Sequence, residues 1–402
     1  MSGTCVIAGG GPAGAVLGLL LARSGVEVTL LEKHKDFLRD FRGDTLHPST
    51  LQVMDELGLA DRVAALPHRK TTALWVWTDE EAVKMASLEG LKSKYRYIAF
   101  VPQWDFLNLV TEAAKEYPNF RLIMEAEVTG LIREDGTARG VRYRDAEGEH
   151  ELRATLTVGA DGRGSDVRRA AGLVPVEHGA PMDVVWFRLP RDPGDFEDTF
   201  LRISPGAIMV AISRETYWQL AYVIPKGAFE ELKAKGIEEL RASVARLIPF
   251  LAGRTGELQG FGEIGVLRVA LNRLRRWYRP GLLMIGDAAH AMSPVFGVGI
   301  NLAVQDAVAA ANVLAEPLRA GHVPVELLRK VQRRRTPPTM ITQFAQQVVQ
   351  DRVISPALTT GGTTRIPVDP TRVPIAGAVL RRFVGLGVLP EHVRTEPHPF
   401  AG

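Results

Sequence analysis

Three glycines near the N-terminus, Gly9-x-Gly11-x-x-Gly14 with Pro12 and Ala13 between the last two, have the spacing of a phosphate-cradling turn. Such glycines let the backbone turn sharply, approach a pyrophosphate closely and pack a helix on its strand. A helix starting here points its free N–H groups at the phosphates. Glu32, followed by Lys33, comes 18 residues after Gly14, where a carboxylate can accept bonds from ribose hydroxyls. An acid at that position favours an unphosphorylated ribose, as in FAD or NAD. A glycine triplet alone also suits a plain tight turn. The strand before it and the helix and strand after it select dinucleotide binding.

Two further segments carry chemistry. Gly159-Ala160-Asp161-Gly162-Arg163-Gly164-Ser165 contains Asp-Gly, in isolation a hairpin-turn signal. Against that reading, an apolar strand precedes it and a helix with Arg168 and Arg169 follows. Gly286-Asp287-Ala288-Ala289-His290 leads into Pro294-x-x-Gly297-x-Gly299-x-Asn301, with Ile300 inside the last step. Asp287 can bond a polyol, and Gly297 and Gly299 expose backbone N–H groups at a helix start, suited to an anionic or electron-rich ring edge. An ordinary strand-loop-helix junction is the alternative.

The elements that must position these groups read as an α/β chain. Thr4–Ala8 and Val26–Leu31 are strands flanking a helix over Ala15–Arg23 that Ser24-Gly25 stops. Helices are expected over Pro48–Leu57 and Trp104–Glu116, and strands over Arg121–Ile132, Gly140–Tyr143 and Leu156–Ala160. From about Gly172, alternating runs at Val184–Leu189, Ala207–Ile212 and Tyr217–Ile224 predict an antiparallel sheet with one buried face. Leu282–Ile285 returns to buried-strand character, and an Ala-rich helix follows over Gly299–Leu318. Pro337-Pro338 is expected to break the basic stretch Arg329–Arg335, after which Ile341, Phe344, Val348 and Arg352 mark a helical face. Arg329, Lys330, Arg333, Arg334 and Arg335 read as a solvated helix face.

The expected architecture is a Rossmann-like dinucleotide-binding domain over 1–70, 98–172 and 280–325. An antiparallel-sheet substrate domain over 71–97 and 173–279 is inserted into it, and 326–402 form a C-terminal helical region. Composition agrees: 402 residues, 46% apolar and 24% charged, describe a globular protein and exclude disorder and fibrous repeats. A net charge of +3 makes no demand for nucleic acid. The single cysteine, Cys5, excludes internal disulfides, Cys-rich zinc sites and a redox dithiol, and fits a reducing cytoplasm. No run reaches the roughly 18 consecutive apolar residues of a membrane-spanning helix.

Taken together and in this order, the three segments resemble the single-component FAD-dependent aromatic hydroxylases, the p-hydroxybenzoate hydroxylase-like flavoprotein monooxygenases. The resemblance covers roughly residues 4–320 and includes Arg42-Gly43-Asp44 and Gln103, which opens a helix. It implies that Gly9, Gly11 and Gly14 hold the FAD pyrophosphate, Glu32 the adenosine ribose, Arg42 the pyrophosphate and Gln103 the ribityl or phosphate region. Asp287 would bind the ribityl chain, and Gly299, Ile300 and Asn301 would face the pyrimidine edge. Pro294 would lie beside the isoalloxazine. Asp161 belongs to a motif linked in this family to both FAD and NAD(P)H.

The implied reaction is reduction of FAD by NADPH or NADH, followed by O2 addition to a flavin C4a-hydroperoxide. Its distal oxygen then passes to an aromatic or polyketide-like small molecule. The cofactor carries this chemistry, and the protein excludes water and holds the ring. A monomer or homodimer with no nucleic-acid partner is expected.

The substrate pocket is less sharply marked. His47, five residues after Arg42, lies near the flavin ring in this scheme, or else caps and packs. Trp186 and Arg188 share a strand face, with Met209 and Trp218 on neighbouring strands, and these four are candidate substrate residues. Tyr217–Pro225 lies where flavin halogenases carry Trp-x-Trp-x-Ile-Pro, but Tyr222 replaces the second Trp with altered spacing, and no catalytic lysine stands out. Two alternatives stay open: a dehydrogenase or prenyl-chain reductase of the same fold, and a hydroxylase of lipid-tailed quinols.

Overall fold

Beyond its first residue the strand Thr4–Ala8 is apolar, and four of its five residues are buried. A strand with that pattern is covered on both faces, as in parallel sheets. In the computed structural model, which describes residues 3–38, 45–359 and 374–399, it lies inside a six-stranded sheet. The order is Tyr278–Arg279, Leu282–Met284, Leu156–Gly159, Thr4–Ala8, Glu27–Leu31, Phe120–Ile123. Every pairing is parallel except that of the edge strand Tyr278–Arg279.

The helix Pro12–Arg23 joins Thr4–Ala8 to Glu27–Leu31 on one side. It opens on Pro12, whose missing N–H costs nothing at a helix start, and stops at Ser24 and Gly25, where φ is 81°. The neighbour on the other side, Leu156–Gly159, comes much later in the chain. Strand order therefore reverses at Thr4–Ala8, and ligands of open α/β sheets bind beyond the carboxyl ends at such a point. Gly9, Glu32, Asp161 and Gly286 each follow one of these four strand ends within two residues.

A second sheet has seven strands, in the order Gly265–Leu267, Met182–Pro190, Tyr217–Pro225, Ala207–Ser213, Phe200–Ser204, Ala73–Trp77, Ala82–Ser87. It is antiparallel apart from one parallel pairing, Phe200–Ser204 with Ala73–Trp77. One face packs on the helix Ile237–Leu247 and the turn after it, burying Val185, Phe187, Met209, Trp218 and Leu220. The other face, with Val184, Trp186, Val210 and Leu201, packs with Val295 and Val349.

Three local readings change. The stretch Arg121–Ile132 is two strands, Phe120–Ile123 and Glu127–Glu134, separated by a turn in which Glu125 has φ 56°. Pro337 and Pro338 do not end their helix, which runs from Val325 to Val349. Prolines remove two N–H donors there, but Arg335, Gln343 and Gln346 on either side are anchored to other elements and hold the turns in line. Arg335 is not solvated: it is 1% exposed and paired with Asp306.

The Ala-rich helix Gly299–Arg319 lies against Pro12–Arg23 and Val325–Val349 at the centre of the molecule. It is long and apolar enough to cross a bilayer, yet 83% of its most apolar window is buried inside the protein. Its composition is that of a core helix.

Candidate cofactor and active site

At the glycine corner a Cβ on Gly14 would stand 2.0 Å from the Gly9 carbonyl, and one on Gly9 2.5 Å from that of Ala160. Both positions are closed to any side chain, and Gly9 has φ 102°. Gly11 faces open space, as a backbone must where a ligand approaches. Pro12–Arg23 has no side-chain N-cap and no acid in its first turn, so the Ala13 and Gly14 N–H groups remain for an anion. Glu32 is buried and accepts from the backbone N–H groups of Gly10 at 2.9 Å and His34 at 3.1 Å. That fixes its carboxylate beside the glycines. Lys33 is exposed.

Gly286, with φ 58°, brings its turn against the same helix start, since a Cβ there would sit 3.0 Å from that of Ala13. The turn is held from behind by Asp306, whose Oδ2 accepts the Gly286 N–H at 3.0 Å and lies 2.6 Å from His290 Nε2. Burial pushes the Asp306 carboxyl up, but His290 and Arg335 outweigh it and hold the group below the usual range. Asp287, two-thirds buried, pairs with Arg163 at 3.0 Å. Asp161 accepts from the Ser165 hydroxyl at 2.5 Å and the Val167 N–H at 3.0 Å. Its carboxylate therefore builds the turn and the helix start at Asp166–Ala170. Gln103 opens the helix Gln103–Lys115, half-buried. Arg42 lies outside the described residues.

The segment Pro294–Gly299 is half-exposed apart from Val298 and holds Phe296 at φ 69° and Gly297 at φ 64°. A left-handed phenylalanine is strained, and such strain persists only where surroundings enforce it. Thr45 donates to the Gly297 carbonyl at 2.7 Å, and the Phe296 ring meets Phe383 edge-on at 5.5 Å. From the other side Gln346 donates to the carbonyls of Ser293 at 2.9 Å and Val295 at 3.0 Å. The helix Gly299–Arg319 starts here without a side-chain cap or first-turn acid, leaving the Gly299, Ile300 and Asn301 N–H groups without helical partners.

His47 is 1% exposed and packs beside this loop, its Nε2 3.7 Å from where a Gly297 Cβ would stand. Its Nδ1 lies 2.6 Å from the Val384 carbonyl, which can only accept, so Nδ1 carries the proton. Burial pushes its pKa down to about 4 against the raising effect of that carbonyl. The ring is neutral near pH 7, and Nε2 is a buried acceptor without a partner among the described residues. A charged acid role is closed to it; a hydrogen-bond acceptor role is open.

The four candidate substrate residues do not come together. Trp218 and Met209, both fully buried, lie in the closed core against Ile237–Leu247, and the Trp218 Nε1–H donates to Asp195 at 2.9 Å. Arg188 is exposed and lies 5.0 Å from the Tyr217 ring at the strand end. Only Trp186 faces the Val295 side from the middle of the sheet, and its Nε1–H is buried without a partner among the described residues. Trp77 Nε1 is likewise unpartnered among the described residues, but that ring stacks 4.1 Å from Phe200 in the cluster against Ile237–Leu247, away from the Val295 face.

Residues beyond those expected also shape the site. An acid inside an otherwise apolar helix is the signal by which Asp306 could have been found. Thr45, Gln346 and Val384 carried no signal, because each acts through contacts far away in the chain. The C-terminal region is thus a wall of the site rather than a separate tail.

Glycine corner, strand-end acids and reversed strand order define a dinucleotide-binding flavoprotein architecture. The chain matches the family described as FAD binding domain over residues 3–351. It is 32% identical over 387 residues to 6-methylpretetramide 4-monooxygenase of Streptomyces rimosus, covering 94% of this chain and 91% of that protein. It is 25% identical over 352 residues to 3-demethoxyubiquinol 3-hydroxylase of Escherichia coli K12, covering 84% and 86%. Among solved structures it resembles Pseudomonas aeruginosa PqsL in complex with 2-aminobenzoylacetate, with TM-score 0.77, 24% identity, and 89% and 96% of the two chains covered. The OxyS anhydrotetracycline hydroxylase of Streptomyces rimosus superposes with TM-score 0.75 at 24% identity, over 96% and 77%. The chain belongs to this FAD-binding family and is an FAD-dependent monooxygenase.

Proposed function

We propose that this enzyme hydroxylates a flat, largely apolar aromatic substrate of polyketide type, using NADH or NADPH and O2. The observation that carries the proposal is the sheet face of Trp186, Val210 and Leu201, packed with Val295 of the Pro294–Gly299 loop, with one indole N–H lacking a partner among the described residues. An apolar wall with a single donor suits a ring system bearing a carbonyl or hydroxyl acceptor. The names of two similar proteins, 6-methylpretetramide 4-monooxygenase and anhydrotetracycline hydroxylase, support that substrate class.

In this reading 1–70, 98–172 and 280–325 carry the cofactor, and 71–97 with 173–279 carry the substrate. Gly9, Gly11, Pro12, Ala13 and Gly14 cradle the pyrophosphate at the uncapped helix start, with Glu32 on the adenosine ribose and Lys33 beside it. Asp287, released from Arg163, and Gln103 take the ribityl region. Asp161 shapes the turn that carries Arg163. The Gly297, Gly299, Ile300 and Asn301 segment faces the pyrimidine edge, where uncapped N–H groups oppose developing negative charge. Bound FAD supplies hydride acceptance and oxygen activation. Pro294 and His47 lie beside the ring, His47 as an acceptor positioned by Val384. Cys5, buried with its thiol pushed up to about 12, takes no part, and a reducing cytoplasm suits it.

The test is a screen of aromatic compounds against the yellow holoenzyme. A true substrate accelerates NAD(P)H oxidation and appears in a product heavier by one oxygen, labelled from 18O2. Accelerated oxidation with an unlabelled, reduced product would establish a dehydrogenase or reductase instead.

A further inference from the structure

The loop Pro294–Gly299 is held by side chains that reach its carbonyl groups from two elements far apart in the chain. Gln346, 0% exposed on the helix Val325–Val349, accepts the Ser293 N–H at 3.2 Å and donates to the Ser293 carbonyl at 2.9 Å. The same amide nitrogen donates to the Val295 carbonyl at 3.0 Å. One turn earlier Gln343 donates to the Ala291 carbonyl at 3.1 Å, so the helix takes the carbonyls of alternate residues, as a partner strand would. Thr45, fixed by its antiparallel pairing with Phe100, donates to the Gly297 carbonyl at 2.7 Å. The Pro294 and Val298 carbonyls accept from the N–H groups of Gly297 and Leu302. The carbonyls of Ser293, Pro294, Val295, Gly297 and Val298 are thus all engaged within the protein. The N–H groups of Gly299, Ile300 and Asn301, by contrast, have no helical partners.

Where the Gly297–Asn301 segment faces the pyrimidine edge, as the proposed function has it, we propose that Thr45 and Gln346 are positioning residues for the cofactor ring. By taking the carbonyls they turn the loop so that it offers the flavin N–H groups. Phe296, at φ 69°, lies between the two clamped residues, since Val295 is held by Gln346 and Gly297 by Thr45. A left-handed phenylalanine persists only where its surroundings enforce it, and these two bonds flank it directly. The Thr45 hydroxyl sits close beneath the loop, 3.0 Å from where a Gly297 Cβ would stand. A carbonyl swung outward would bring partial negative charge to the edge where a flavin gains negative charge on reduction, whereas an N–H opposes that charge. The clamps therefore set the polarity of the edge as well as its place.

Titration of the apoprotein with FAD, and of the holoenzyme with a reference dye, separates positioning from packing. Thr45→Val keeps the side-chain shape and removes the donor. The FAD dissociation constant should rise about twofold to tenfold, the range of one neutral hydrogen bond. The reduction potential of the bound flavin should become more negative, because fewer N–H groups oppose the charge it gains. Thr45→Ser keeps the hydroxyl and should restore both values. Gln346→Leu, which leaves two carbonyls without their donor, should shift the potential in the same direction. If Thr45→Val lowers only the melting temperature and leaves the potential and visible absorption of bound FAD unchanged, or if Thr45→Ser behaves like Thr45→Val, the proposal is overturned. Gly297→Ala, strained at φ 64°, tests the underlying reading separately. A flavin spectrum altered by Gly297→Ala but not by Thr45→Val overturns the proposal alone, and one altered by neither overturns the placing of the loop beside the ring as well. Should Gln346→Leu fail to fold, the two Thr45 variants decide.

Discussion

Two tryptophans on adjacent strands of the seven-stranded sheet meet opposite fates. Trp218 points into the face that the chain closes with its own helix, stands 5.7 Å from both Phe200 and Phe250, and gives its N–H to Asp195. Trp186, on the face turned to Val295, is half-buried and gives its N–H to nothing among the described residues. Both are indoles on strands of one sheet, so the difference lies in which pleat each occupies. The first face is sealed and serves the Trp218 donor, whereas the second, though Val295 and Val349 pack on it, keeps one donor for which the proposed substrate would supply the acceptor. A buried donor without a partner costs about 1–3 kcal/mol, which is tolerable where binding later supplies the acceptor.

Three experiments can break this contrast, beginning with the closed face. Trp218→Ala removes a fully buried ring from a packed aromatic cluster and strands Asp195 beside Arg254. The expected loss is about 3–5 kcal/mol of stability, the usual range for such a truncation, read by guanidinium unfolding. Loss below about 1 kcal/mol would mean that the face is not a completed core.

How much of this was legible beforehand depends on how local each signal is. The glycine corner, Glu32 and the Gly286-Asp287 turn act over a few residues, so their spacing in the chain already carries their geometry. Trp186, Met209 and Trp218 were visible as strand residues, but alternation does not say which face the chain will cover. The second half of the helix Val325–Val349 inverts the usual pattern, after a first half that buries Leu328 and Val331 in the apolar core. It buries Arg335, Thr339, Thr342, Gln343 and Gln346 and exposes Ile341 and Phe344. Its inner face meets backbone carbonyls of Asn272, Ala291, Ser293 and Val295 rather than apolar side chains, and carbonyls call for donors. A hydrophobic-periodicity reading cannot anticipate that, because the demand comes from another part of the chain.

The second experiment probes the floor of the open side through pH. His47 has a folded pKa of about 4 against an ordinary 6.5. Between those values the unfolded chain binds the extra proton, so stability rises with pH across that window and is lost as pH falls through it. Fully expressed below pH 4, the effect is about 3 kcal/mol. His47→Gln keeps a polar side chain that cannot titrate. Its unfolding free energy should therefore vary less between pH 7 and pH 4.5 than that of the unaltered enzyme. Equal slopes for the two proteins would show that His47 is not held neutral by burial.

The smallest effect is the most specific. Trp186→Phe keeps an aromatic ring on the Val295 face and deletes the N–H that lacks a partner, together with part of the indole's carbon surface. Because nothing among the described residues accepts from that group, and the ring is only half-buried, stability should change by less than about 1 kcal/mol. Turnover of a substrate with a carbonyl or hydroxyl acceptor should fall, since a hydrogen bond to a neutral partner contributes about 0.5–1.5 kcal/mol. That corresponds to a loss of up to about tenfold in kcat/KM. A substrate analogue without the acceptor oxygen should be turned over equally by both enzymes. If the variant loses stability while discriminating between the two compounds as before, Trp186 is a core residue like Trp218, and the two faces are alike after all.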